Sequence, residues 1–132
     1  MNQPPAPRAR FSLARHRLQR SDFLRVYERG RRAKGVLFAV VVLENERAHS
    51  RLGLSVAKRT IKLAVDRNKV RRVLREAFRL ELATLPPGID VVLVASAAAR
   101  APRLSEARAE LVAGVRRALL KRPRSNPKEG AR

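Results

Sequence analysis

Arg67, Arg71, Arg75 and Arg79 recur at intervals of four, with Asn68 and Arg72 beside them. On a helix that spacing lays the side chains along one flank, where neighbouring like charges each cost roughly 0.2–0.5 kcal/mol. Between positions 58 and 79 stand nine bases: Lys58, Arg59, Lys62, Arg67, Lys69, Arg71, Arg72, Arg75 and Arg79. Only Asp66 and Glu76 oppose them, leaving a surplus of seven positive charges on one element. A merely solvated face mixes both signs, so this one fits a phosphate-rich partner. Arginine outnumbers lysine in the stretch, and its planar fork matches phosphate oxygens and base edges. Glu76 is spaced to pair with Arg72 or Arg79 and so to orient it.

Residues that would make the chain a catalyst by itself do not assemble in the sequence. His16 and His49 are the only histidines and lack a triad or metal-motif spacing. Asp66, Glu76 and Asp90 form no recognisable carboxylate pair for metal-assisted phosphodiester cleavage. There is no cysteine, hence no thiolate ligand, thiol nucleophile or disulfide, which suits a reducing compartment such as the cytoplasm.

The whole chain repeats the bias of the stretch. Its 132 residues carry 31 Lys and Arg against 11 Asp and Glu, a net charge of +20, yet 45% are hydrophobic. A core can therefore form, and one domain is expected. Charge kept only for solubility is a weak account at this magnitude. Membrane-surface binding would need a free apolar helix face, whereas the helices here need theirs for the core. The longest apolar run, 36–43, is far short of the roughly 20 residues that span a bilayer. The first ten residues have no apolar stretch after their charges and do not read as a secretory signal.

The elements that must position the bases follow from periodicity. Residues 1–10 and 122–132, rich in proline and basic residues, read as flexible arms around a single domain at 11–121. Ser21 is a candidate N-cap for a first helix, with Asp22 in its first turn, Phe23 and Tyr27 on one face and Gly30 as its stop. A buried strand is expected at 36–43. At 51–57, alternation puts Leu52, Leu54 and Val56 in the core and the small residues Gly53, Ser55 and Ala57 on the other face, where another chain could lie close. A long helix from 60 or 61 to 83 turns Leu63, Val70, Val73, Leu74, Ala77 and Phe78 inward. A strand at 89–96 and a helix capped by Ser105 and running to 121 complete the order α-β-β-α-β-α. The class is α+β, an α/β sandwich with helices packed on a small mixed sheet.

Phe23 and Tyr27, with Phe38 as a third ring, would stand beside the small-residue strip, with Lys58 and Arg59 at its end for phosphates. Stacking on such rings tolerates any base sequence. Phe23 and Phe38 would serve equally well as core, Tyr27 less well. RNA suits the arginine flank better than DNA: a strand, not a short helix and tight turn, precedes the long helix, and a rigid basic ladder grips RNA by shape and phosphates.

The stretch 51–79, RLGLSVAKRTIKLAVDRNKVRRVLREAFR, resembles the signature of the protein subunit of bacterial ribonuclease P. Its core is Arg67-Asn68, Arg71-Arg72 and Arg75-Glu76, after a strand ending Val-Ala-Lys-Arg. The likeness extends over about 11–120, with Phe11 in a leading segment, Ser21-Asp22-Phe23 opening the first helix and Asp90-Val91-Val92 opening the last strand. It departs at Arg71, where the family usually has lysine, and at Val41, where many relatives have an aromatic. The resemblance implies an accessory subunit that binds a catalytic RNA, one to one, and helps it cleave precursor tRNA to release the 5′ leader. It implies Mg²⁺ held mainly by RNA and none bound by the protein alone. Lys62, Arg67, Asn68, Lys69, Arg71, Arg72, Arg75 and Arg79 would face the catalytic RNA; Phe23, Tyr27, Phe38, Ser55, Lys58 and Arg59 would line the leader cleft. It further implies a left-handed crossover between the parallel strands, against the usual preference. A ribosomal RNA-binding protein and, more weakly, a DNA-binding regulator share the composition.

Overall fold

A computed structural model describes residues 16–121, so the expectations for both arms and for Phe11 lie outside the described residues. Helix α1 (Arg20–Arg29) is followed by strands β1 (Arg31–Ala33), β2 (Phe38–Glu44) and β3 (Arg51–Ser55). Then come α2 (Ala64–Glu81), β4 (Ile89–Ala95), a 3-10 turn (Ala97–Arg100) and α3 (Leu104–Leu120). The sheet order is β1-β2-β4-β3. β1 and β4 both run antiparallel to β2, and β3 runs parallel to β4 through the α2 crossover. The sheet is mixed and the class is α+β, as the periodicity predicts.

The middle strands are valine-rich because both of their faces are covered. On one side Phe38, Val40 and Val42 of β2 and Val91 and Leu93 of β4 meet Val70, Leu74, Ala77 and Phe78 of α2 and Ala107, Leu111, Val115 and Ala118 of α3. Gly114 lets α3 come this close, since a Cβ there would stand 2.6 Å from Val40 Cγ2. On the other side a smaller cluster of Leu18, Val26, Val41 and Val92 seats α1, with Phe23, Tyr27, Leu43 and Val94 at its rim.

Several expectations need correcting. β1 is an additional strand: three residues of mixed polarity carry no period, and only pairing with β2 defines them. The order is therefore α-β-β-β-α-β-α. The second strand begins at Phe38, because Val36 is 73% exposed. α1 is preceded by Gln19, not capped by Ser21, and α3 by Arg103, not Ser105; neither has a side-chain cap. α2 starts at Ala64, leaving Leu63 62% exposed rather than in the core.

Polar ties fix the packing. Arg31, buried in β1, donates to the carbonyls of Leu119 (3.0 Å) and Lys121 (3.1 Å), satisfying the end of α3, and pairs with Glu44. Burial pushes the Glu44 carboxyl up, but the hydrogen bond and charge of Arg31 outweigh it and hold the group below its ordinary value. Glu110 of α3 accepts the backbone N–H groups of Leu37 (2.7 Å) and Phe38 (3.0 Å). Arg108 and Glu81 join α3 to α2 at 2.6 Å. Ahead of α1, Leu18 N–H donates to Leu52 O at 3.0 Å, laying the leading segment along the outer edge of β3.

Candidate nucleic-acid interface

α2 has one apolar flank, and around the rest of it stand the bases Arg67, Lys69, Arg71, Arg72, Arg75 and Arg79 against Asp66, Glu76 and Glu81. Steps of four drift about 40° around a helix of 3.6 residues per turn, so the arginine row is a slow spiral and its members end in different surroundings. Arg67, half-buried, donates from Nη1 to the carbonyls of Ile61 (2.9 Å) and Lys62 (2.8 Å), tying down the approach to the helix. Arg71 donates to Asn68 Oδ1 at 3.2 Å, and with Arg75 lines a cavity of about 440 Å³ shared with Arg17, Arg20, Phe23 and Gly53. Arg72 and Lys69 are exposed on the opposite side. Arg79 chelates both oxygens of Glu76, at 2.9 and 2.5 Å, which resolves the two pairings open to Glu76 in the sequence. That hydrogen bond, with the arginine charge, lowers the Glu76 carboxyl and raises the Arg79 guanidinium. Lys58, Arg59 and Lys62 are exposed ahead of the helix.

The second surface is the sheet face that α1 covers only in part. Phe23 and Tyr27 are half-buried neighbours with ring centroids 6.3 Å apart. Ser55 pairs in register with Val94, which pairs with Ala39, and all three are partly exposed, making a floor across three strands. The small-residue strip has a more local purpose at Gly53. A Cβ there would lie 2.5 Å from Phe23 Cζ and 3.1 Å from Leu18 Cδ2, so the glycine receives the ring. Gly53→Ala is expected to cost about 1–3 kcal/mol by overpacking. Coupling it to Phe23→Leu should recover part of that loss in urea unfolding, and strictly additive losses would contradict the contact.

Phe38 does not belong to this surface. It is 0% exposed and sits in the core under α2 and α3, because pleat alternation sends 38, 40 and 42 to one face and 39, 41 and 43 to the other. Ala39 and Val94 occupy the floor instead. Sequence reasoning missed them because an unbroken apolar run carries no signal of which face each residue takes.

A buried ionic knot holds α1 on the sheet. Arg51 Nε and Nη2 donate to Asp90 Oδ1 (2.9 Å) and Oδ2 (2.8 Å), and its Nη1 to Asp22 Oδ2 (3.1 Å). Asn45 Nδ2 donates to Asp90 Oδ1 at 2.8 Å, and Arg25 approaches both carboxylates. Arg51 and Asp90 are partners in the β3–β4 register, on the face toward α1. Hydrogen bonding to Asp90, against the opposing effect of burial, raises the Arg51 guanidinium above its usual value.

Among the described residues no three His, Cys, Asp or Glu side chains come together as a metal site. Asp22, Asp90, Glu44, Glu76 and Glu81 each face an arginine. Engaged by guanidinium groups, these carboxylates do not fit Mg²⁺ coordination. His16 is buried against His49, ring centroids 5.5 Å apart. No helix among the described residues is long and apolar enough to cross a membrane.

Fold and surface together define a small α+β protein of the kind that presents a basic helix beside a partly open sheet face. The profile of the family described as Ribonuclease P matches residues 13–119, and the chain belongs to that family. It is 43% identical over 77 residues to the ribonuclease P protein component of Coxiella burnetii, covering 58% of this chain and 63% of that protein. The corresponding protein of Clostridioides difficile is 40% identical over 76 residues, 57% of this chain and 66% of its own length. The chain thus spans a little under two thirds of these two relatives. Among solved structures, the RNase P protein from Thermotoga maritima superposes with a TM-score of 0.66 at 28% identity, covering 82% of this chain and 96% of that one. The Staphylococcus aureus RNase P protein gives a TM-score of 0.65 at 29% identity, covering 76% and 92%.

Proposed function

We infer that this chain is the protein subunit of a cytoplasmic ribonuclease P and assists an RNA catalyst in removing the 5′ leader from precursor tRNA. The observation that carries the reading is the basic surplus of α2 together with Lys58, Arg59 and Lys62 ahead of it, which has a physical reason to exist beside a polyanion. In this reading α2 and the bases ahead of it grip the catalytic RNA, one protein per RNA. The half-open face with Phe23, Tyr27, Ser55, Lys58 and Arg59 receives the single-stranded leader, whose bases stack without regard to sequence. Mg²⁺ belongs to the RNA. Membership of the family, the exposure of Lys69 and Arg72 and the half-burial of Tyr27 next to Phe23 all support this division.

Reconstitution with ribonuclease P RNA tests it. At low Mg²⁺ the protein should accelerate 5′ processing of precursor tRNA, and no acceleration would defeat the assignment; copurification with ribosomal subunits would favour a ribosomal RNA-binding role. Within the complex, Tyr27→Ala should weaken binding of leader-bearing substrate by about 1–3 kcal/mol, the scale of one base–aromatic stack. Leaderless tRNA should be unaffected, and an equal loss for both substrates would remove Tyr27 from the cleft.

A further inference from the structure

We propose that the groove between α2 and the start of α3 seats one unstacked nucleobase of the catalytic RNA, with the flanking phosphates on Lys69 and Arg72. The proposal rests on the RNA-binding reading above and adds to it a site of apolar character. The groove is shallow and open to solvent, with a volume of about 510 Å³, within the range of clefts that hold small ligands. Its floor is Val73, Ala101, Pro102 and Leu104, and its rim carries Lys69 and Arg72.

Two observations select the occupant. The rim is positive: Glu76, the lining carboxylate, has both oxygens engaged by Arg79, which leaves Lys69 and Arg72 to set the local field. The floor meanwhile leaves Leu104, a large apolar side chain, 36% exposed at the first position of α3. An apolar floor under a cationic rim matches a nucleotide, whose base is flat and poorly hydrated on its faces and whose phosphates lie at its edge. RNA recognition commonly uses bases splayed out of the stack. An acidic or apolar peptide would use only one half of this arrangement. The groove also lies across α2 from Arg71 and Arg75, so it is separate from the cavity beside Phe23.

The test uses the full chain bound to in vitro transcribed ribonuclease P RNA, probed with dimethyl sulfate and by affinity at several salt concentrations. Leu104→Asn removes floor without adding charge, and far-UV circular dichroism checks that α3 is intact. It should weaken binding about five-fold, as for withdrawing a modest apolar contact. It should leave the salt slope unchanged and expose one unpaired base that the wild type protects. Arg72→Ala should reduce the salt slope by about one. Leu24→Asn, on the exposed side of α1, serves as the control and should leave the footprint as in wild type. If Leu104→Asn binds with wild-type affinity and footprint, the groove holds no base. Protection that appears only with two proteins per RNA would assign the groove to a second copy and equally overturn the proposal. Failure of the wild type to bind the RNA would instead overturn the functional reading itself.

Discussion

Asp90→Ala is expected to destabilise the domain by about 3–5 kcal/mol, the scale for removing one partner of a buried ion pair. Asp90 is 0% exposed and accepts from Arg51 and Asn45. Without it the buried guanidinium keeps a single carboxylate, Asp22, which belongs to α1. The desolvation cost of the charge then falls on the contact that seats α1 against the sheet. Urea unfolding gives the total loss. Because Tyr27 is the sole tyrosine and tryptophan is absent, intrinsic fluorescence reports α1 directly. A loss under about 1 kcal/mol would mean that the knot contributes little beyond its alternatives. Asp90→Asn, which keeps volume and one acceptor, should fall in between.

Simultaneous replacement of Arg71, Arg72 and Arg75 by alanine should weaken binding of ribonuclease P RNA about 100-fold at physiological salt. Each lost phosphate contact removes roughly 0.7–0.9 from the slope of log K against log salt, and three remove two to three. The fold should survive, since alanine is the best helix former and the change relieves repulsion along the row. Thermal unfolding should show a variant at least as stable as wild type. Filter binding across salt concentrations decides: an unchanged slope would show that RNA is held elsewhere. Arg67→Ala is a different case, because that guanidinium binds the Ile61 and Lys62 carbonyls, and its loss should loosen the approach to α2 as well as reduce charge.

The sequence was most legible where one physical signal dominated. The apolar stripe of Val70, Leu74, Ala77 and Phe78 located α2, and the alternation at Leu52, Leu54 and Val56 located the inner face of β3. Charge also located the basic flank, since repulsion between arginines four apart is a local property. Phe38 was misplaced because a run of eight apolar residues hides the parity that assigns side chains to faces. The Arg51–Asp90–Asp22 knot was invisible because its bonded pairs are 29 and 39 positions apart and meet only through sheet register and the seating of α1. β1 has too few residues for any period, and the caps expected at Ser21 and Ser105 gave way to helices that begin two residues earlier. The division of the arginine row between two sides of α2 depends on what packs beside the helix, which spacing alone does not encode.

The strand of Leu18 main chain laid along β3 has a consequence for assembly. Open sheet borders invite a second polypeptide to dock by main-chain pairing, the usual route to uncontrolled self-association. Here one border is partly occupied from within the chain, and the other is only three residues long. A polycation that must meet a polyanion at high local concentration gains from this, because bringing many copies together on nucleic acid then offers little template for the copies to join into a fibre.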